Sequence, residues 1–118
     1  MTLHKLRQAD YLLHMLEAIS LAQSYVDGIS KADFSHDKRT QQAVILNIMV
    51  IGEAATKLAD EYPEFVSRFP QVQWKSMRGM RNRLALGYFN INLDVVWETV
   101  KQALPELEGQ LRQIQEAL

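Results

Sequence analysis

Four cations fall within nine residues at Lys75, Arg78, Arg81 and Arg83, around Asn82 and just ahead of Gly87, Tyr88 and Phe89. They stand out because the whole chain carries a formal net charge of only −1. On a helix, Arg78 and Arg81 are three apart and share a face, and Lys75 extends the row. Arginine offers a planar fork of N–H donors suited to a phosphate group. Tyr88 offers a ring that can stack on a base, and a hydroxyl. Phosphate or RNA binding is the chemistry this segment can do; a solvated, salt-bridged helix face is the plainer reading of the same residues.

A second place is the polar break in the apolar run around residues 43–55, where Asn47, Gly52 and Glu53 interrupt Val, Ile, Leu and Met. A carboxylate in apolar surroundings is costly unless paired. Glu53 is therefore expected to take a cation such as an arginine of the basic segment, and Gly52 to let two helices approach closely. Asn47 and Glu53 are candidates to support the site.

Other chemistries lack their parts. His4, His14 and His36 do not pair with one another or with a carboxylate at metal-ligand spacing, so no metal site is expected. Without a placed histidine a serine or threonine triad is not credible. The chain has no cysteine, and its five glycines are too scattered to form a phosphate-cradling loop. No cofactor is expected.

The elements that must position these residues read as helices. The chain has 118 residues, 47% of them apolar, enough for one domain over 1–118 with a thin core. Four segments carry helical periodicity. The first runs from about Leu3 to Asp27, with one stripe of Ala9, Leu13, Leu16, Ile19, Ala22 and Val26 and a second of Tyr11, Met15, Ala18 and Tyr25. Gly28 stops it. A polar loop, residues 29–35, leads to a second helix, capped by Ser35 or Asp37, that ends before Pro63. That helix is apolar nearly all round, which predicts packing on several sides, one of them against a second copy of the chain. A turn-rich stretch, 63–70, precedes a third helix over 74–85. The fourth starts at Asn92 and keeps an apolar stripe to Leu118, with a kink or break at Pro105. The fold class predicted is all-α: an antiparallel up-and-down bundle of four main helices, forming a homodimer. The start lacks the layout of a signal peptide, and no unbroken apolar run reaches the ~18–20 residues of a membrane span. A cytoplasmic location with no membrane contact is expected.

The run Arg81-Asn82-Arg83-Leu84-Ala85-Leu86-Gly87-Tyr88-Phe89 resembles the signature of the HEPN superfamily, and more closely that of the HepT toxins of HepT–MntA toxin–antitoxin pairs. Their motif is an arginine, four residues, a histidine, one residue and a tyrosine; the arginine falls on Arg81 and the tyrosine on Tyr88. Ile51-Gly52-Glu53-Ala54-Ala55, Trp74, Asn92-Leu93-Asp94-Val95-Val96-Trp97 and Leu104-Pro105 also fit, so the resemblance spans nearly the whole chain. It implies a homodimer whose paired third helices form one RNA cleft. It implies metal-independent cleavage of RNA, tRNA and mRNA being the candidate substrates. It also implies a partner of the MntA type, a minimal nucleotidyltransferase that uses ATP and Mg to transfer AMP to Tyr88. Those cofactors belong to the partner and not to this chain.

One position departs from the pattern, because Leu86 stands where the family has its histidine. Histidine can move protons near neutral pH, and arginine can stabilise charge on a phosphoryl group. Leucine can do neither. The resemblance therefore implies a ribonuclease scaffold whose copy here is inactive or crippled. Natural decay and a deliberate disarming substitution fit Leu86 equally. Two alternatives stand beside this reading: a non-catalytic HEPN module that binds RNA or a partner as a dimer, and a plain four-helix dimerisation domain.

Overall fold

The computed structural model describes residues 6–118, with Tyr88 described by its backbone alone. The predicted helix start at Leu3, and His4, lie outside the described residues. The architecture is all-helical. Four principal helical stretches run as α1 (Gln8–Val26), α3 (Lys38–Glu61), α5 (Trp74–Leu86) and the pair α6 (Leu93–Glu98) and α7 (Leu104–Glu116). Two one-turn helices join them, α2 (Lys31–Ser35) and α4 (Pro63–Ser67).

α1 ends where expected. Gly28 takes a φ of 76°, which a residue with a Cβ adopts only under strain. The buried face of α1 is Leu12, Met15, Ile19, Ala22 and Val26, flanked by Tyr11, Leu16 and Ala18. Three residues assigned to the apolar stripes, Ala9, Leu13 and Tyr25, are exposed instead. Two neighbouring stripes made the apolar arc wider than the surface that α3 and α7 cover, and the surplus faces out.

Residues 29–35, expected to be a loop, close instead into α2. Ser30 Oγ accepts the Asp33 N–H at 3.0 Å, and the Asp33 carboxylate accepts the Ser30 N–H at 3.3 Å. Phe34 is thereby buried against Trp97 of α6, with ring centroids 5.3 Å apart. One helical turn is too short to show periodicity, so pattern alone missed it. Pro63 likewise opens α4, whose Phe65 enters the core.

Asp37, one of the two expected caps, holds the start of α3 by accepting the Thr40 N–H at 3.1 Å. α3 is long and apolar enough, by length and composition, to cross a membrane. The measure is a window average, which tolerates Asn47; the unbroken apolar runs remain short. Here α3 is the central helix, packed between α1 and α5 with eight residues buried. The Tyr11 hydroxyl of α1 donates to the Glu61 carboxylate at its far end.

That hydrogen bond to an anion, helped by burial, pushes the Tyr11 hydroxyl up to about 12 from its ordinary value of 10. A group whose ionisation is raised on folding contributes its full stabilisation below the unfolded value and loses it as pH rises through the folded value. The stability gap between this chain and Tyr11→Phe is therefore expected to stay level from neutral pH to about 10 and to close towards 12. Denaturant midpoints of the two proteins across that range check it.

The final stretch meets Pro105 with a device. Between α6 and α7 the chain makes one wider π turn, Thr99–Ala103, in which the Leu104 N–H reaches back five residues to the Thr99 carbonyl. Pro105 then sits in the first turn of α7, where a missing N–H is tolerated. The apolar stripe of Val96, Val100, Leu104, Leu107, Leu111 and Ile114 stays buried across the join.

Candidate functional site

α5 carries the basic segment and lies antiparallel on α3, as two ion pairs show. Arg78 near its start meets Asp60 near the end of α3, and Arg81 one turn later meets Glu53 at 2.9 Å. The approach is close because of Gly52. A Cβ placed there would stand 2.5 Å from the Arg81 Cβ and 2.8 Å from the Met77 carbonyl oxygen. This is the close approach expected of that glycine.

Arg81 lies over Gly52 with its side chain 27% exposed. Nη1 donates to Glu53 Oε2. Nε is buried and has no partner among the described residues, and the same holds for the Thr56 hydroxyl of α3. The expected arginine partner of Glu53 is thus present, but the apolar setting is not: the Glu53 side chain is 49% exposed. It stands at the edge of α3, where α5 covers one side only. In so open a place the pair contributes little to stability, and its effect is to set where the guanidinium points.

The four cations divide. Arg78 and Arg81 are tied to α3. Lys75 and Arg83 are exposed, and among the described residues neither forms an ion pair with a carboxylate; Arg83 Nη2 reaches the Met80 sulfur at 3.9 Å. Asn82 is exposed between them. Asn47 is not brought to this group. It is 8% exposed in the core, and its side-chain amide donates to the Ala43 carbonyl of its own helix at 2.9 Å.

Leu86 is the last residue of α5 and is 88% exposed. Gly87 ends the helix, its N–H donating to the Arg83 carbonyl at 2.9 Å. The backbone then makes a 3-10 turn over Tyr88–Asn90, and Phe89 is 85% exposed. A cavity of about 310 Å³ lies between α3, α5 and α7, its lining including Ile48, Met77, Met80, Arg83 and Leu107. Neither Thr56 nor this cavity was visible in the sequence, because both depend on which faces of α3, α5 and α7 meet.

The sequence pattern described as Ribonuclease HepT-like matches residues 15–114. A protein of Thermococcus cleftensis named "Probable ribonuclease HepT" is 35% identical over 105 residues, which cover 89% of this chain and 93% of that one. A protein of Caldanaerobacter subterraneus named a "Putative RNase" is 38% identical over 104 residues, covering 88% of this chain and 90% of that one. No solved structure matches.

Proposed function

This chain belongs to the HepT-like ribonuclease family, and from that premise we propose that it is the toxin component of a toxin–antitoxin pair, built on a metal-independent RNA-cleaving scaffold and disarmed at Leu86. In the scaffold's reaction the RNA 2′-oxygen, losing its proton to a base, bonds to the adjacent phosphorus. The bond to the 5′-oxygen breaks, and that oxygen takes a proton from an acid. Arg81 is the residue that stabilises the phosphoryl charge. Lys75, Arg78, Asn82 and Arg83 guide the RNA backbone along α5, and Glu53 anchors Arg81 at Nη1.

One observation carries this reading: Arg81 is paired with Glu53 while Leu86, at the end of the same helix, is 88% exposed. Within the single chain the Leu86 side chain takes no part in the core, and it lies five residues beyond Arg81 in the sequence. A histidine there would stand free to move a proton. Leucine leaves the charge-stabilising half of the machinery without its acid–base half.

The RNA cleft is completed by a second copy of the chain. Leu46 on α3, 60% exposed, and Leu13 on α1, 52% exposed, supply apolar surface for self-association. The antitoxin is a minimal nucleotidyltransferase of the MntA type, which uses ATP and Mg to place AMP on Tyr88 in the cytoplasm. A phosphodiester at that position sets negative charge two residues past the α5 terminus and competes with RNA for the arginines.

Incubation with the cognate transferase and MgATP is expected to add the mass of one or more AMP groups to Tyr88, as read by peptide mass spectrometry, and Tyr88→Phe to remove the label. AMP found on another residue of the chain would overturn the modification. A second reading, a non-catalytic dimer that binds RNA or a partner, is favoured by Leu86 itself.

A further inference from the structure

We propose that Thr56 is a positioning residue for Arg81: its hydroxyl oxygen accepts the Arg81 Nε–H and fixes the roll of the guanidinium. The inference rests on Arg81 being the phosphate-binding arginine and adds the residue that aims it.

Two buried side-chain polar atoms have no partner among the described residues, and they are Arg81 Nε and Thr56 Oγ1. Such orphans are rare, because a buried polar group left unpaired forfeits the whole cost of leaving water. These two are chemically complementary. The arginine Nε can only donate, and the threonine oxygen can accept.

They also stand at one level of the helix pair. Gly52, against which the Arg81 Cβ lies, and Thr56 are one turn apart on the same face of α3. Long side chains on a helix lean towards its N-terminus. The pairs Asp60–Arg78 and Glu53–Arg81 make α5 antiparallel to α3, so the N-terminus of α5 lies towards the C-terminal end of α3. The Arg81 stem therefore runs from Gly52 in the direction of Thr56. The proposed contact forms by rotation of the hydroxyl about the Thr56 Cα–Cβ bond together with a turn of the guanidinium, since the two atoms are unpaired as they stand.

The consequence is geometric. Glu53 alone grips one corner of the guanidinium, at Nη1, and the plane can still turn about that contact. A second grip at Nε fixes the plane and leaves Nη2 as the free donor for a phosphate oxygen. A charge-stabilising donor is effective only when its direction is set before the charge develops.

The test is 1H–15N spectroscopy of the labelled full chain, with the Arg81 Nε–H signal identified as the one that Arg81→Lys removes. The signal is expected apart from that of the exposed Arg112, to move towards it in Thr56→Val, and to stay near its starting place in Thr56→Ser. Affinity for a single-stranded RNA is expected to fall roughly five- to tenfold in Thr56→Val and to hold within about twofold in Thr56→Ser. An Arg81 signal already at the exposed-arginine position in the unmutated chain overturns the proposal without any variant. So does a signal that ignores Thr56→Val, or an unchanged RNA affinity in Thr56→Val where Arg81→Ala does weaken binding. Unweakened RNA binding by Arg81→Ala would instead remove the phosphate-binding reading of Arg81, and the spectra alone would still decide whether Thr56 holds Nε.

Discussion

Replacing Leu86 by histidine is expected to raise RNA cleavage by roughly 10²–10⁴-fold, the span general acid–base catalysis commonly supplies. The assay is cleavage of RNA in EDTA by the chain as it stands and by Leu86→His, side by side. The gain should be nearly all-or-none, because leucine has no proton to give or take. The fold should tolerate the change: the Leu86 side chain is 88% exposed, so its removal leaves no cavity. Adding Arg81→Ala to the histidine variant is expected to return activity most of the way to the starting level, since loss of one charge-stabilising donor typically costs about 10²–10³ in rate. Silence from Leu86→His, in a protein shown to be folded and dimeric, would favour the non-catalytic binding module. Cleavage by the chain as it stands, equal to that of the variant, would show that position 86 has no part in the chemistry.

The second large effect concerns Gly52. A methyl group there would lie 2.5 Å from the Arg81 Cβ and 2.8 Å from the Met77 carbonyl oxygen. Neither atom is the end of a flexible chain, so α5 must lift away from α3. Gly52→Ala is expected to cost about 1–3 kcal/mol, as overpacking does, even after the gain of alanine's better helix propensity. The melting temperature should fall by several degrees. Gly79→Ala, also within a helix, is the control. Its Cβ would meet only the Arg83 guanidinium, at 3.8 Å, an ordinary contact, so the propensity gain of about 0.5–1 kcal/mol should appear and the sign should reverse. Thermal melts of the two variants check both directions. RNA binding should fall with Gly52→Ala as well, because Arg81 and its carboxylate partner separate together.

The principal helices were legible because each has an apolar face repeating every three or four residues and a boundary with its own chemistry: stops at Gly28, Pro63 and Gly87, and a start at the Asn92 cap. Arg81, Glu53 and Gly52 were legible as a group for a different reason. A lone carboxylate and a lone glycine in an apolar helix both ask for a close neighbour, and the basic segment offers one. Asn47 looked the same in sequence, yet it satisfies its amide within its own helix, a local solution that spacing cannot distinguish from a long-range one. α2 was missed because its single turn is specified by a capping exchange between Ser30 and Asp33 and by the burial of Phe34, neither of which leaves a period. Leu13 was placed in the core because the apolar arc of α1 is broader than the surface available to cover it. Thr56 carried no signal at all: a threonine one turn from a glycine is unremarkable until the opposite helix brings an arginine to its level.

Among the principal helical stretches, the one that carries the candidate site has the fewest buried residues. Among the described residues of α5 only Leu84 is buried; the helix is otherwise held by the half-buried Trp74, Met77 and Met80, by the Gly52 contact and by two partly exposed ion pairs. Segments held in this way open locally well before the whole domain unfolds. By mass action, anything that binds only the closed form of α5 also raises its stability. RNA laid along the arginines would thus brace the very surface it is bound to, and a neutralising partner could act with equal effect by leaving α5 ajar.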